Sequence, residues 1–259
     1  MTQSSSPMDI DIQAIPGIMT RNHDPRFNVD HLLGRTREGL EQRIGDLGWR
    51  GRRVLVIDFS HQQWTLPGAG CLRRQSAYRC LEDRLDLYRG LPDESYDGIV
   101  LNLLPSWGDF SRLLEHARER LNEDGLFAFS AFGPDTLNEV ARAWAGADDL
   151  PHVHPFVDMH HLGDAMLRSG LVRPVVDTEW VSIDYPDYDT LVRDLRCSGF
   201  ANIHSFRRKS LTGKRRYMRF RDNLEALLAT DGLSVTFEFV HGLGFARNRE
   251  SIRVQPPAL

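Results

Sequence analysis

His152, His154, His160 and His161 crowd one short stretch of this chain. Imidazole is a common metal ligand, and it also orients anionic substrates, so both roles come into question. Spacing does not enforce a metal. His160 and His161 point to different sides of a helix, and no acidic pair joins them at a recognisable metalloenzyme spacing. No metal site is therefore assigned, and His160 stays open between a structural and a substrate-binding role. A second concentration is basic: Arg207, Arg208, Lys209, Lys214, Arg215, Arg216, Arg219 and Arg221 follow one another with no acidic residue inside the run. In a chain of formal net charge −4, such a run is either a solvated face or a surface that meets an anionic partner. An acidic protein and RNA are the competing anions. Phe206, Tyr217 and Phe220 supply aromatics, but no RNA-binding module surrounds them, so nucleic acid is the less expected partner.

The elements that must position these groups alternate between strand and helix. Asp30 is placed to cap a helix whose inward stripe is Leu33, Leu40, Ile44 and Leu47, with Gly48 closing it. Val54–Phe59 is an unbroken apolar run, as expected of a parallel strand covered on both faces. A turn at Leu91–Ser95 leads to a second buried strand over Tyr96–Leu104. Asp109 caps a helix with Phe110, Leu113, Leu114, Ala117 and Leu121 on one side, and after a turn at Asn122–Gly125 comes a strand at Leu126–Ala131. Helices are expected at Asp135–Ala145 and Asp158–Ser169, the second capped by Asp158 and ended by Gly170. Val175–Ile183 reads as a strand, Asp187–Ser198 as a helix and Ser205–Leu211 as a short extension. A further helix holds Leu224, Ala226 and Leu227. Ser234–Gly242 alternates apolar and polar residues, which suits an antiparallel or edge strand. The whole predicts an α/β, doubly wound, mostly parallel sheet.

Composition narrows the class. At 41% hydrophobic and 26% charged residues the chain is an ordinary globular protein. No apolar run is long enough to span a membrane, and Met1–Pro7 lacks the basic and apolar regions of a secretory signal. Cys71, Cys80 and Cys197 lack metal spacing and fit reduced thiols, hence a cytoplasmic setting. Residues 1–28, punctuated by Pro7, Pro16, Gly17 and Pro25, read as a mobile arm ahead of one domain over residues 29–259.

Leu91-Pro92, Tyr96-Asp97, Trp107 and Leu121–Leu126 resemble the second half of a class I S-adenosylmethionine-dependent methyltransferase. Phe132–Leu137, His152-Val153, Phe156–His160, Leu162–Asp164, Asp194-Leu195 and Leu211–Gly213 are narrower. Together they resemble the malonyl-acyl-carrier-protein O-methyltransferases of biotin synthesis, across roughly Leu91–Phe245. The resemblance implies a seven-stranded methyltransferase sheet with a final antiparallel strand, S-adenosylmethionine as cofactor, and methyl transfer to a malonyl-thioester carboxylate. It also implies Asp58 as the acidic residue closing the first strand, with Asn102 and Leu103 lining the cofactor cavity. His160 would orient the substrate. Arg207, Arg208, Lys209, Lys214, Arg215 and Arg216 would dock an acidic acyl carrier protein, since opposite surface charge steers association.

The first half departs from that pattern. Phe59, Ser60, His61 and Gln62 follow Asp58 where the family places glycines, which allow close ligand approach and φ > 0. Left-handed geometry costs a non-glycine residue about 1–2 kcal/mol. Several such positions would weaken cofactor binding by roughly 10²–10⁴-fold. Parallel crossovers need at least about a dozen residues each, so residues 60–90 predict a shortened first half. Glu82, Asp83 and Asp86 are the candidates there for the ribose carboxylate. The alternative expectation is a methyltransferase fold kept as a binding or assembly factor without catalysis.

Overall fold

The computed structural model describes residues 30–58, 63–66, 71–76, 93–103, 109–197, 202, 204–228 and 233–247. The expected arm, the turn Phe59–Gln62 and the ribose candidates Glu82, Asp83 and Asp86 lie outside the described residues. The elements, in chain order, are α1 (Asp30–Asp46), β1 (Arg53–Asp58), β2 (Cys71–Ser76), β3 (Tyr96–Leu101), α2 (Phe110–Arg120) and β4 (Leu121–Phe132). They continue as α3 (Asn138–Ala145), α4 (Met159–Arg168), β5 (Val172–Tyr185), α5 (Tyr188–Cys197), α6 (Lys214–Leu228) and β6 (Leu233–Phe245).

One sheet runs in the order β2-β1-β3-β4-β6-β5. β1 pairs in parallel with β2 and with β3, and β3 in parallel with β4. β6 runs the other way. Ala246 N–H donates to the Gly125 carbonyl, Gly133 N–H to Glu238 and Leu137 N–H to Thr236, so one partner's numbering falls as the other's rises. The fold is thus the expected α/β, mostly parallel methyltransferase-type sheet with an antiparallel strand late in the chain. Among the described residues it has six strands, where the resemblance implied seven, and β2 is the one strand between β1 and β3 along the chain.

The chain divides into two compact units. One comprises Leu32–Ala131, Asp158–Thr178 and the stretch beginning at Val240; the other comprises Phe132–Val157 and Glu179–Phe239. In the first, the apolar runs of β1 and β3 are buried on both faces, as an inner parallel strand requires. Leu40 and Ile44 of α1 pack with Val54, Val56, Trp64 and Val100 in one core cluster. Leu47, expected on that inward stripe, is instead 50% exposed, because the helix ends at Asp46 and Gly48 takes φ +63° to turn the chain away. Asp109 caps α2 as expected, its carboxylate accepting from Arg112 N–H at 3.2 Å. Gly170, at φ +84°, follows α4 as the predicted C-terminal glycine.

In the second unit Phe132, Phe156, Phe237 and Phe239 form an aromatic cluster, with Phe132 centroids 5.6–6.3 Å from the others. The segment after β4 is held down by β6. Thr136 Oγ1 donates to the Glu238 carbonyl and accepts from Glu238 N–H, both at 3.1 Å. The buried Glu238 carboxylate accepts from Asp135 N–H at 2.8 Å. That carboxylate fills the space where a side chain on Gly133 would stand. Gly133→Ala is therefore expected to lower stability by about 1–3 kcal/mol through overpacking. Urea unfolding checks it, and Gly133→Ala in a Glu238→Ala background should lose much of that penalty.

Several boundaries differ from the sequence reading. β4 is continuous from Leu121, absorbing the turn expected at Asn122–Gly125, with Asp124 at φ +56°. α3 starts at Asn138, since Thr136 and Leu137 are committed to β6. Ser205–Leu211 forms no strand.

Candidate functional site

In the unit containing β1, β2 and β3, the chain leaves β1 for β2 on one side and meets β3 on the other. A crevice at the carboxyl ends of such strands, where strand order reverses, is the usual ligand position in open α/β sheets. Asp58 ends β1, and Asn102 and Leu103 follow β3, so the structure brings the three cofactor-side candidates to that place. Asp58 is 4% and Asn102 1% exposed. Asn102 N–H donates to the Ile57 carbonyl at 2.9 Å, tying the end of one strand to the other. Asn102 Nδ2 donates to Asp58 Oδ1 at 3.2 Å, and Trp64 Nε1 donates to Asp58 Oδ2 at 2.8 Å. Ser130 Oγ, on β4, donates to Asn102 Oδ1 at 2.8 Å and accepts Leu103 N–H at 2.9 Å. That bond helps hold Leu103 at φ +56°, a conformation costly for a β-carbon.

Trp64 and Ser130 are the members of this cluster that sequence reasoning did not assign. Trp64 comes just after the glycine-poor turn, and the structure makes it a donor to the strand-end carboxylate. A carboxylate and an amide at the strand ends suit the hydroxyl and ammonium groups of a nucleoside amino-acid cofactor. The donor set therefore fits S-adenosylmethionine. The indole and the amide already bond Asp58, so the cluster as built is closed, and a cofactor hydrogen-bonding that carboxylate must compete with Trp64.

His160 lies in the same unit, exposed in the first turn of α4. Asp158 caps the helix, accepting His160 N–H at 2.7 Å, and the imidazole is left facing solvent. His161 beside it is exposed too. His152 and His154 belong to the other unit, and among the described residues no group of three or more His, Cys, Asp or Glu gathers as a metal would need. His154 is buried edge-on to Phe156. Desolvation, helped by the charge of His204, pushes its pKa down to about 4.

His152 stacks on Trp144 at 3.7 Å, and Phe220 of α6 stacks on Trp144 at 4.0 Å. The His152 imidazole bonds Asp148 Oδ1 at 2.7 Å, while Arg208 donates to Asp148 Oδ2 at 3.0 Å. Burial acts to raise the Asp148 pKa, but hydrogen bonds from His152, Leu150 N–H and Arg208 outweigh it and hold it at about 2. The basic run thus divides. Arg208 is held by Asp148, and Arg207 donates to the His204 carbonyl at 3.1 Å. Lys209 is exposed. Lys214, Arg215, Arg216 and Arg219 are exposed at the start of α6, and with Asp148 and Gly213 they line a cleft of about 650 Å³.

No family model matches the chain. Curated relatives do. The malonyl-acyl-carrier-protein O-methyltransferase of Nitrosospira multiformis is 38% identical over 180 residues, covering 68% of this chain and 58% of that protein. The protein of the same name from Methylovorus sp. is 30% identical over 207 residues, covering 75% and 67%. The chain thus spans between about half and two thirds of the length of the relatives it matches. Geranyl diphosphate C-methyltransferase of Streptomyces coelicolor superposes over 93% of this chain and 100% of its own, at 14% identity and a TM-score of 0.42. That likeness is too loose to carry an argument about this chain.

Proposed function

Because the chain belongs to the malonyl-acyl-carrier-protein O-methyltransferase family, we propose that it methylates the free carboxylate of a malonyl thioester, using S-adenosylmethionine. The observation that carries this reading is the meeting of Asp58 and Asn102 at the carboxyl ends of β1 and β3, in a chain 30–38% identical to relatives of that name. When bound, S-adenosylmethionine supplies a methyl group on a sulfonium leaving centre. The chain's own task is then mainly positioning. Asp58 and Asn102 would hold the cofactor, with Leu103 fixing the backbone beside them. His160, free to turn at the head of α4, would orient the malonyl carboxylate, which is already the nucleophile and needs no strong base.

Carrier recognition falls to the basic run, whose partner would be an acidic acyl carrier protein in the cytoplasm. Among the described residues no helix is long and apolar enough to cross a membrane. The rival reading, a fold kept for binding or assembly alone, is not favoured by relatives that carry the name of an enzyme. The test is genetic. Expression should restore growth without biotin to a bacterium lacking its own malonyl-acyl-carrier-protein methyltransferase, and His160→Ala should impair that rescue. Failure of well-expressed, folded protein to support growth would count against the activity.

A further inference from the structure

The cations of the basic run have different fates. Arg208 is bonded to Asp148, Arg207 to the His204 carbonyl, and Arg221 to Glu225 at 2.8 Å. Lys214, Arg215 and Arg219 make no hydrogen bond or ion pair with any described residue. Arg216 reaches only to 4.0 Å from Asp148. These four are the ones that rim the 650 Å³ cleft, a volume within the range of about 300–1,000 Å³ for small-ligand sites.

Their placement is unfavourable for the helix itself. Lys214, Arg215 and Arg216 occupy the opening turn of α6, which holds no acidic residue, although the positive end of the helix dipole favours anions there. Three cations repel one another and the dipole unless something negative sits between them. Of the two acidic residues lining the cleft, Asp148 is already bonded through both oxygens by His152 and Arg208, and the exposed Asp149 forms no ion pair with any described residue. Gly213, with open space where a side chain would project, leaves the approach clear.

We propose that this cleft binds the phosphodiester through which an acyl carrier protein holds its thioester-bearing arm. The proposal rests on the carrier reading above and sharpens it. Arginine forks match phosphate oxygens bidentately, and Arg215 and Arg219, one helical turn apart, offer two forks on one face. Carrier docking then has two parts: contact with the acidic carrier surface, and capture of the arm's phosphate in the cleft.

Calorimetry with the full chain separates the parts, using carrier with its arm and carrier without it. The wild-type protein should bind the arm-bearing form about tenfold more tightly. Arg215→Gln with Arg219→Gln, both exposed and unpaired, should erase that preference, weakening the arm-bearing form more than the armless one, which loses only surface attraction. Equal wild-type affinity for both forms, or a preference that survives the double substitution, overturns the proposal. If neither form binds, the carrier reading falls, and the isolated arm (4′-phosphopantetheine against unphosphorylated pantetheine) decides the cleft. Phosphate-dependent binding lost in the double variant sustains it, and no such binding overturns it. A single-stranded oligonucleotide held through the same arginines more tightly than the arm also overturns it.

Discussion

Between pH 6.5 and pH 4 the protein should lose several kcal/mol of stability, more than its carboxylates explain. His154 and His241 are both buried, and burial is the main reason each pKa falls to about 4. For His241 the nearby Arg43 charge lowers it further, while the Asp177 charge opposes this. In the unfolded chain both imidazoles bind protons near the ordinary value of about 6.5. Between the two values the unfolded state therefore binds more protons, and stability rises with pH there. The contribution is complete above pH 6.5 and lost as pH falls through about 4. At about 1.4 kcal/mol per pKa unit, each histidine is worth roughly 3 kcal/mol across that window. Asp148, held at about 2, acts in a separate and lower window, below the ordinary carboxylate range. Urea midpoints measured from pH 7 to pH 4 read the slope. Replacing His241 by Gln should flatten it by about half in a protein that still folds. An unchanged slope in both the His154→Gln and His241→Gln proteins would place the proton uptake elsewhere.

Asp58→Ala should be the most damaging single change at the strand ends. It removes the acceptor of the Trp64 indole and of the Asn102 amide, leaving two buried donors without their partner. Each orphaned donor costs about 1–3 kcal/mol, so the loss is roughly 2–6 kcal/mol. Trp64→Phe keeps most of the ring in the core cluster with Leu40, Val54 and Val100 and removes only one donor, so about 1–3 kcal/mol is expected. Because the two residues share one bond, the double substitution should cost less than the sum. A near-neutral Asp58→Ala protein, or strict additivity, would show that the carboxylate is not held as described. Affinity for S-adenosylmethionine is a separate readout: Trp64→Phe removes one donor competing for Asp58 Oδ2 and should tighten binding, against the weakening expected from the glycine-poor turn.

What the residues announced and what they hid follows from how far each signal reaches along the chain. β1 and β3 were legible because a strand covered on both faces is an unbroken apolar run. The caps at Asp109 and Asp158 were legible because a carboxylate bonding an N–H two or three residues on is a local event. Asp58, Asn102 and Leu103 were named from family likeness, and the structure joins them. Ser130 was hidden inside the apolar strand β4, where one hydroxyl leaves no periodic trace, yet it links Asn102 to Leu103 across elements. α6 was seen only at its apolar end near Leu224, since the cations of its first turns mask the helical period. Asp148 gave no sign in sequence that it would take Arg208, a contact across 60 positions. The chain's two-unit division was equally silent, because each unit is assembled from separated segments.

Mass spectrometry of a malonyl-loaded acyl carrier protein, incubated with the purified chain and S-adenosylmethionine, tests the proposed reaction most directly. The account predicts a mass gain of one CH2 unit as the malonyl carboxylate becomes its methyl ester, abolished when that carboxylate is already esterified and much reduced with His160→Ala. Unmodified carrier after prolonged incubation with folded protein, at cofactor concentrations well above its measured dissociation constant, would contradict it.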